Sequence, residues 1–445
     1  MLLMKPARVG GVGRTLRCVL VASLWTGMSL MSSVAQAQSA DFIAGQLGEN
    51  LGAEIGGLLD YARTHNPDYA AWQAESQVSA ARSNVAGRWA DPKLRLELMD
   101  VTRMGAQNPN LLPGRVGSTR YLLMQDISWL GKNDLKHDVA QAEAAGVRSR
   151  TQEAWAELAA QIKTAYARRY YLHHSLQLNR EMLVLMARLE QIARTRYASG
   201  LAAQQDVIRA QLEQTRLRSE LIELEMQQHH EDAQLNALLA RPIHALLQEP
   251  VRLPVLPSAA SLDARLLEAR LRQHSPQLQM QEAEIQSAEK NRALAEKNRY
   301  PDFTLGFAPV QMQNAVRQWD VMLEMNIPLQ QETRRAQEYE ADARLEAVRR
   351  RQEAVTHRLL AQLAEALSAL DAARHTARLM NDDLLPQAEL TYQAALAGYE
   401  AGRLDFATLL EAQRQIRQGR LSRLKAEVEG CVQLAQIERL LGGSL

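Results

Sequence analysis

Two hydrophobic periods run along this chain, and each occurs twice. The first is helical. From Gly131 to Tyr197 there are 67 residues without a proline, and from Gln330 to Leu385 there are 56 without a proline or a glycine. Both stretches are dominated by Ala, Leu, Gln, Glu and Arg, the residues that lose least on entering a helix. At about 1.5 Å per residue each predicts a rod of roughly 80–100 Å. Pro386 should bend or interrupt the second rod, because it removes a backbone donor and its ring meets the preceding turn. Further rods are expected over Ala202–Ala240 and Arg403–Leu441, the first carrying Leu217, Leu221, Leu224 and Leu235 at the three-and-four spacing of helix packing. Gly200 and Gly402 each follow a helical run and read as left-handed caps, so the rods should reverse at two equivalent tips.

The second period is two. Lys93-Leu94-Arg95-Leu96-Glu97-Leu98 alternates charged with apolar, Asp302-Phe303-Thr304-Leu305-Gly306-Phe307 does likewise, and Tyr121–Ser128 and Asp320–Ile327 are the returning partners. Each segment approaches the roughly 9–11 residues that a tilted strand needs to cross a bilayer. Trp89, Trp129, Tyr300 and Trp319 lie at or near the expected strand ends, where interfacial rings belong. Four strands cannot close a membrane barrel, since the smallest need about eight, and an open edge is prohibitive in lipid. Several chains must therefore pool their strands. The connection from Thr102 to Thr119, with Asn108-Pro109 and Pro113-Gly114, reads as an exposed outer loop.

The two sets are copies about two hundred residues apart. His65-Asn66-Pro67 returns as His274-Ser275-Pro276, Gln125-Asp126-Ile127 as Met325-Asn326-Ile327, and Tyr197-Ala198-Ser199-Gly200 as Tyr399-Glu400-Ala401-Gly402. Such duplication builds pseudo-symmetric walls or tubes. The expected division is a leader over 1–37, a first repeat over 38–240 with its hairpin at 93–128, a linker and start of the second repeat over 241–273, and a second repeat over 274–445 with its hairpin at 302–327. The predicted class is mainly α with a small antiparallel β part.

The leader has Lys5, Arg8, Arg14 and Arg17 ahead of an apolar run from Val19 to Met31, then Ala35-Gln36-Ala37 as a cleavage site, so the mature chain is expected to begin at Gln38. Cys18 precedes the apolar run, the wrong place for a lipid-modified cysteine. Losing the four basic leader residues takes the formal net charge from +1 to −3, a near balance that offers nucleic acid nothing. Cys431 then stands alone, so no internal disulfide can form. No nucleophile elbow, zinc-protease pair, Cys-x-x-Cys or phosphate loop is present; Gly131-Lys132 runs into Asn133. The pairs His173-His174 and His229-His230 point about 100° apart on a helix and cannot readily chelate alone. No cofactor is implied and no enzyme.

In its doubled order of helix, Asn-Pro-like start, strand hairpin, long rod, Tyr-x-x-Gly turn and second rod, the chain resembles the TolC-type outer-membrane efflux family over nearly its whole mature length. The resemblance implies a homotrimer. Its twelve-stranded barrel would lie in outer-membrane lipid and its long helical barrel in the periplasm, docked to a periplasmic adaptor that links it to an inner-membrane resistance-nodulation-division pump. Gly200, Leu201, Gly402 and Arg403 then fall at the adaptor-contact tips. Asp206 and Tyr399 match a network that holds the tube closed, one residue from each copy, with assembly expected to bring the tips together. Glu411 matches an acidic position at the constriction, whereas Thr408 stands where some members carry a second acid.

Gln125-Asp126-Ile127 leading to Gly131-Lys132 resembles the subgroup that serves heavy-metal exporters. Multidrug or type I secretion ducts share the fold and stay open as substrate classes. Met312, Met322 and Met325 could meet soft cations, but scattered methionines more often pack. A periplasmic coiled-coil stalk is the competing reading from another class, and it has no use for duplicated alternating strands with aromatic flanks.

Overall fold

The computed structural model describes residues 51–105, 108–258 and 262–445. The leader and its cleavage site lie outside the described residues. Helices α1 (Ile55–His65) and α2 (Pro67–Val85) lead into strands β1 (Lys93–Met99) and β2 (Ser118–Ile127), then the long helix α3 (Lys132–Ala198) and α4 (Gln204–Leu238). The second half follows the same order: α5 (Ala264–His274), α6 (Pro276–Lys297), β3 (Phe303–Met312), β4 (Ala315–Met325), α7 (Gln331–Leu379), α8 (Leu385–Glu400) and α9 (Phe406–Leu441). At about 1.5 Å per residue the 67-residue α3 spans roughly 100 Å. Among the described residues, no helix is long and apolar enough to cross a membrane.

A short π-helical stretch, Met380–Leu384, separates α7 from α8 and sits immediately before Pro386. The interruption expected from that proline takes this form because its ring crowds the carbonyl of the preceding turn, and a widened turn moves that carbonyl aside without ending the rod.

The four strands form one antiparallel sheet in the order β1-β2-β3-β4, so the two hairpins pair with each other through β2 and β3. Register puts Leu94, Leu123, Phe307 and Val321 in a single row across the sheet, and all four side chains are exposed. A row of exposed apolar groups on every strand is what a lipid-facing surface needs. The opposite face combines a small buried cluster of Leu122, Met124 and Ala308 with ion pairs. Arg120 lies 3.4 Å from Glu97 on β1 and 3.3 Å from Asp320 on β4, while Lys93 pairs with Asp126 at 2.7 Å. Gly306 on β3 leaves room for Leu122 and Met322, since a Cβ there would stand 2.9 Å from Leu122 Cδ1 and 3.1 Å from Met322 Cε.

Two details depart from the sequence expectation. β4 begins at Ala315, so Trp319 lies inside the strand, paired with Pro309 and stacked on Phe307, and not at its end. An irregularity at Val310/Gln311 breaks the alternation that would have revealed the longer hairpin. Thr119 is a buried residue of β2 and does not belong to the exposed loop. Trp129 and Tyr300 do meet at the junction of sheet and helices, stacked with centroids 5.0 Å apart. Beside them the buried Lys132 bridges the halves, donating to Asp302 and to the Tyr300 carbonyl, each at 2.9 Å.

Next to the sheet the helices run α2-α3-α6-α7; further along, α4-α3-α9-α7 and α8. Each half closes on a similar three-helix core: Leu58, Ile162 and Leu235 in the first, Leu267, Leu359 and Ile437 in the second. The stretch joining the halves is held by Arg169, which ion-pairs with Asp232 at 2.5 Å and donates to the carbonyls of Leu247 and Gln248. Cys431 is buried beneath this strap, 3.7 Å from the Pro254 carbonyl, and burial pushes its thiol up to about 12. It stays protonated at neutral pH.

Candidate functional site

The end of the bundle far from the sheet is made of two helical hairpins, α3–α4 and α8–α9. Both α3 and α8 end in the same backbone pattern. Gly200 N–H donates to the Tyr197 carbonyl and Leu201 N–H to that of Arg196; Gly402 N–H donates to Tyr399 and Arg403 N–H to Gly398. These bonds satisfy the free carbonyls of a helix end and require a left-handed residue, and the glycines sit at φ +72° and +70°. All four expected tip residues, Gly200, Leu201, Gly402 and Arg403, are exposed.

The structure brings Asp206 and Tyr399 together. The Tyr399 hydroxyl donates to Asp206 Oδ2 at 3.3 Å, joining α8 to α4. The contact forms within one chain, whereas the sequence reading left it to assembly. Tyr399 is buried, and that burial, reinforced by the charge of Asp206, pushes its phenol up to about 12. It therefore stays a neutral donor at any physiological pH. Its ring packs edge-on against Phe406, which is fully buried with Leu409, Ala210 and Leu189 in the core between the hairpins.

Glu411 stands apart. It is exposed, has no hydrogen bond or ion pair among the described residues, and lines an open groove of about 570 Å³ with Arg209 and Arg414. The groove therefore sets this acid among cations of its own chain. Thr408 has another use: Asp405 accepts from its backbone N–H at 2.9 Å and its hydroxyl at 2.5 Å, capping α9, and these bonds hold the Asp405 carboxyl below its usual range.

Several partners were not singled out from sequence. The buried Glu213 on α4 accepts from Arg414 on α9 at 2.6 Å, and Glu220 accepts from Arg417 at 2.7 Å, so two ion pairs stitch one hairpin to the other. Arg196, in the last turn of α3, lies 5.1 Å over the Tyr399 ring. Glu-to-Arg matches between separate helices carry no sequence spacing rule, and only the fold exposes them.

The three methionines do not converge. Met322 packs against Leu122, Met124 and Ala308, Met325 lies on the other face opposite Phe303, and Met312 at the hairpin end opposite Ala315. Their placement favours packing. His229 and His230 are exposed, and His174 stacks on Tyr170. Among the described residues, no cluster of three or more His, Cys, Asp or Glu is placed to hold a metal ion.

An alternating four-stranded sheet set on long helical rods is a fold found in solved outer-membrane channels. The solved outer-membrane channel OprN superposes with a TM-score of 0.75 at 18% identity, covering 88% of this chain and 90% of that one. CusC superposes with a TM-score of 0.75 at 16% identity, covering 88% and 92%. In sequence, residues 267–443 match the family described as outer membrane efflux protein. The cobalt-zinc-cadmium resistance protein CzcC of Cupriavidus metallidurans is 26% identical over 307 residues, 68% of this chain and 71% of that protein.

Proposed function

We propose that this chain is the outer-membrane exit duct of a tripartite efflux system, passing metal cations from periplasm to exterior. In this reading three chains form the tube, the sheet sits in outer-membrane lipid, and the helical barrel reaches through the periplasm to an adaptor and an inner-membrane resistance-nodulation-division pump. The observation that carries it is the apolar row Leu94-Leu123-Phe307-Val321, which ends on two unlike open edges, β1 and β4. Unlike edges join head to tail, and head-to-tail contacts close into a ring where the rotation between chains divides the circle. Three chains of four strands would pool twelve, above the roughly eight that the smallest membrane barrels need. The metal class is supported by the likeness to CzcC.

The hairpin tips form the periplasmic gate, held by Tyr399 and Asp206, with Glu411 in the wall near the constriction and Gly200, Leu201, Gly402 and Arg403 at the adaptor contact. A hydrogen bond to a charged group is worth about 1.5–3 kcal/mol, and three symmetric copies add to it, so its loss shifts a two-state pore without changing the fold. Planar-bilayer recording of the purified oligomer should show higher conductance for Asp206→Ala, and wild-type traces would defeat the gate. In cells, loss of the chain should sensitise to cobalt, zinc or cadmium more than to bulky drugs; the reverse pattern would transfer the duct to the multidrug class.

A further inference from the structure

We propose that the groove over α3, at the level where α1 turns into α2 and α5 into α6, binds a soluble ligand carrying two or more carboxylate or phosphate groups. The inference goes beyond the duct reading, since such a ligand is opposite in charge to a metal cation.

The groove encloses about 870 Å³ and draws on both halves of the chain: Arg63 from α1, Gln73 from α2, Arg148, Gln152 and Trp155 from α3, and Arg270 from α5. No Asp or Glu is among its lining residues. On the neighbouring helices arginine meets acid, with Arg292 at 2.6 Å from Asp342 and Arg349 at 2.8 Å from Glu289. The groove arginines do not. Arg148 makes no hydrogen bond or ion pair among the described residues, Arg63 covers the Trp155 ring at 5.3 Å from its centroid, and Arg270 uses one donor on the Ser444 carbonyl at 3.1 Å. A guanidinium holds five N–H donors in a rigid fork that matches carboxylate and phosphate, so most donors here are free for an acceptor from outside the chain. A cleft lined by one sign of charge also focuses its field and concentrates the counter-ion.

The volume lies within the roughly 300–1,000 Å³ of small-molecule sites. Three arginines on three helices around such a space call for more than one acid group, and the amides of Gln73 and Gln152 suit the neutral polar remainder of a ligand. The floor is closely packed, because a Cβ at Gly442, φ +73°, would stand 2.6 Å from Pro276 Cδ. A preformed groove costs little to order on binding. Arg148 lies 16 residues beyond Lys132, where α3 leaves the sheet, about 24 Å along the rod. With the sheet in lipid, as proposed above, that distance exceeds a headgroup layer of roughly 5–8 Å and favours a soluble ligand over a lipid.

The test is isothermal titration of the full-length oligomer in non-ionic detergent at low salt, with citrate, pyrophosphate and, as a single-acid control, acetate. We expect citrate or pyrophosphate to saturate at one site per chain, the tighter of the two naming the preferred acid group, and acetate not to saturate. Arg148→Gln and Arg63→Gln should each weaken that binding at least tenfold; both side chains are exposed, and either variant alone suffices if the other fails to assemble. Arg358→Gln, at an exposed position of α7 outside the groove, controls for loss of a positive charge and should bind like the native chain. The proposal falls if neither probe saturates, if acetate binds as tightly as they do, if both groove variants bind normally, or if Arg358→Gln weakens binding equally. None of these outcomes touches the duct reading, which conductance and metal sensitivity decide.

Discussion

The two tips share a sequence pattern and a backbone, yet they are fastened differently. Tyr197 at the first tip is half exposed; its counterpart Tyr399 at the second is buried to 2%. Behind the first turn, α4 starts at Ala203 with no side-chain cap, while α9 starts at Asp405 with two bonds from Thr408. Phe406 follows into the core; no aromatic follows the first turn, and Leu201 is left 67% exposed. A duplicated element need not keep duplicated energetics. One copy is anchored to the body by a buried aromatic, and the other presents an apolar side chain to solvent.

The largest break in that comparison should come from the aromatic anchor. Phe406→Ala empties a fully buried site and should cost about 3–5 kcal/mol, lowering the unfolding temperature and the oligomer yield. Tyr197→Ala, at an exposed position, should stay within about 0.5 kcal/mol. Thermal unfolding of the two detergent-solubilised variants side by side decides it, and equal losses would mean the tips are equally anchored.

The glycines come next. A side chain in the left-handed region costs about 1–2 kcal/mol wherever it falls, so Gly200→Ala and Gly402→Ala should both destabilise. Gly402→Ala should cost more, because its methyl also displaces Arg196. If the melting shifts match, the guanidinium yields freely and its placement carries no energy. A smaller effect is expected at the caps. Asp405→Ala should lose about 1 kcal/mol, and Ala203→Asp should return a comparable amount to the first tip if the missing cap is the reason α4 is less secure.

Much of this was legible in the chain because the relevant rules are local. A glycine after a helical run fixes its own φ, a proline interrupts its own turn, and alternation of period two assigns faces to a strand. Asp206 and Tyr399 were legible as candidates through resemblance. The form of their contact was not, because helices about 190 residues apart in sequence meet only in the fold. Arg196 carries no local signal of its partners, because the Glu400 carbonyl and the Tyr399 ring lie on another helix. Trp319 was misplaced because the irregularity at Val310/Gln311 interrupts the pattern that locates a strand end. Asp405, just ahead of an apolar helical run, is a cap of the same local kind.

The smallest expected effect on stability belongs to the residue that most sharpens the contrast. Leu201 touches little of its own chain, so Leu201→Ser should leave the unfolding temperature unchanged. Burying a leucine on association contributes about 1.5–3 kcal/mol, and a symmetric assembly presents the same side chain once per chain. If the loosely fastened tip is the docking surface, Leu201→Ser should weaken adaptor capture by tenfold or more, at about 1.4 kcal/mol per tenfold. Arg403→Ser, at the anchored tip, supplies the matched control: it removes a charge and little apolar area. Its loss should be smaller and should shrink further at high salt, where exposed charges are screened. Adaptor pull-down with both variants at two ionic strengths separates the outcomes. If Arg403→Ser is the more damaging change, the partner reads charge at the second tip, and the exposed apolar surface of the first is not the docking face.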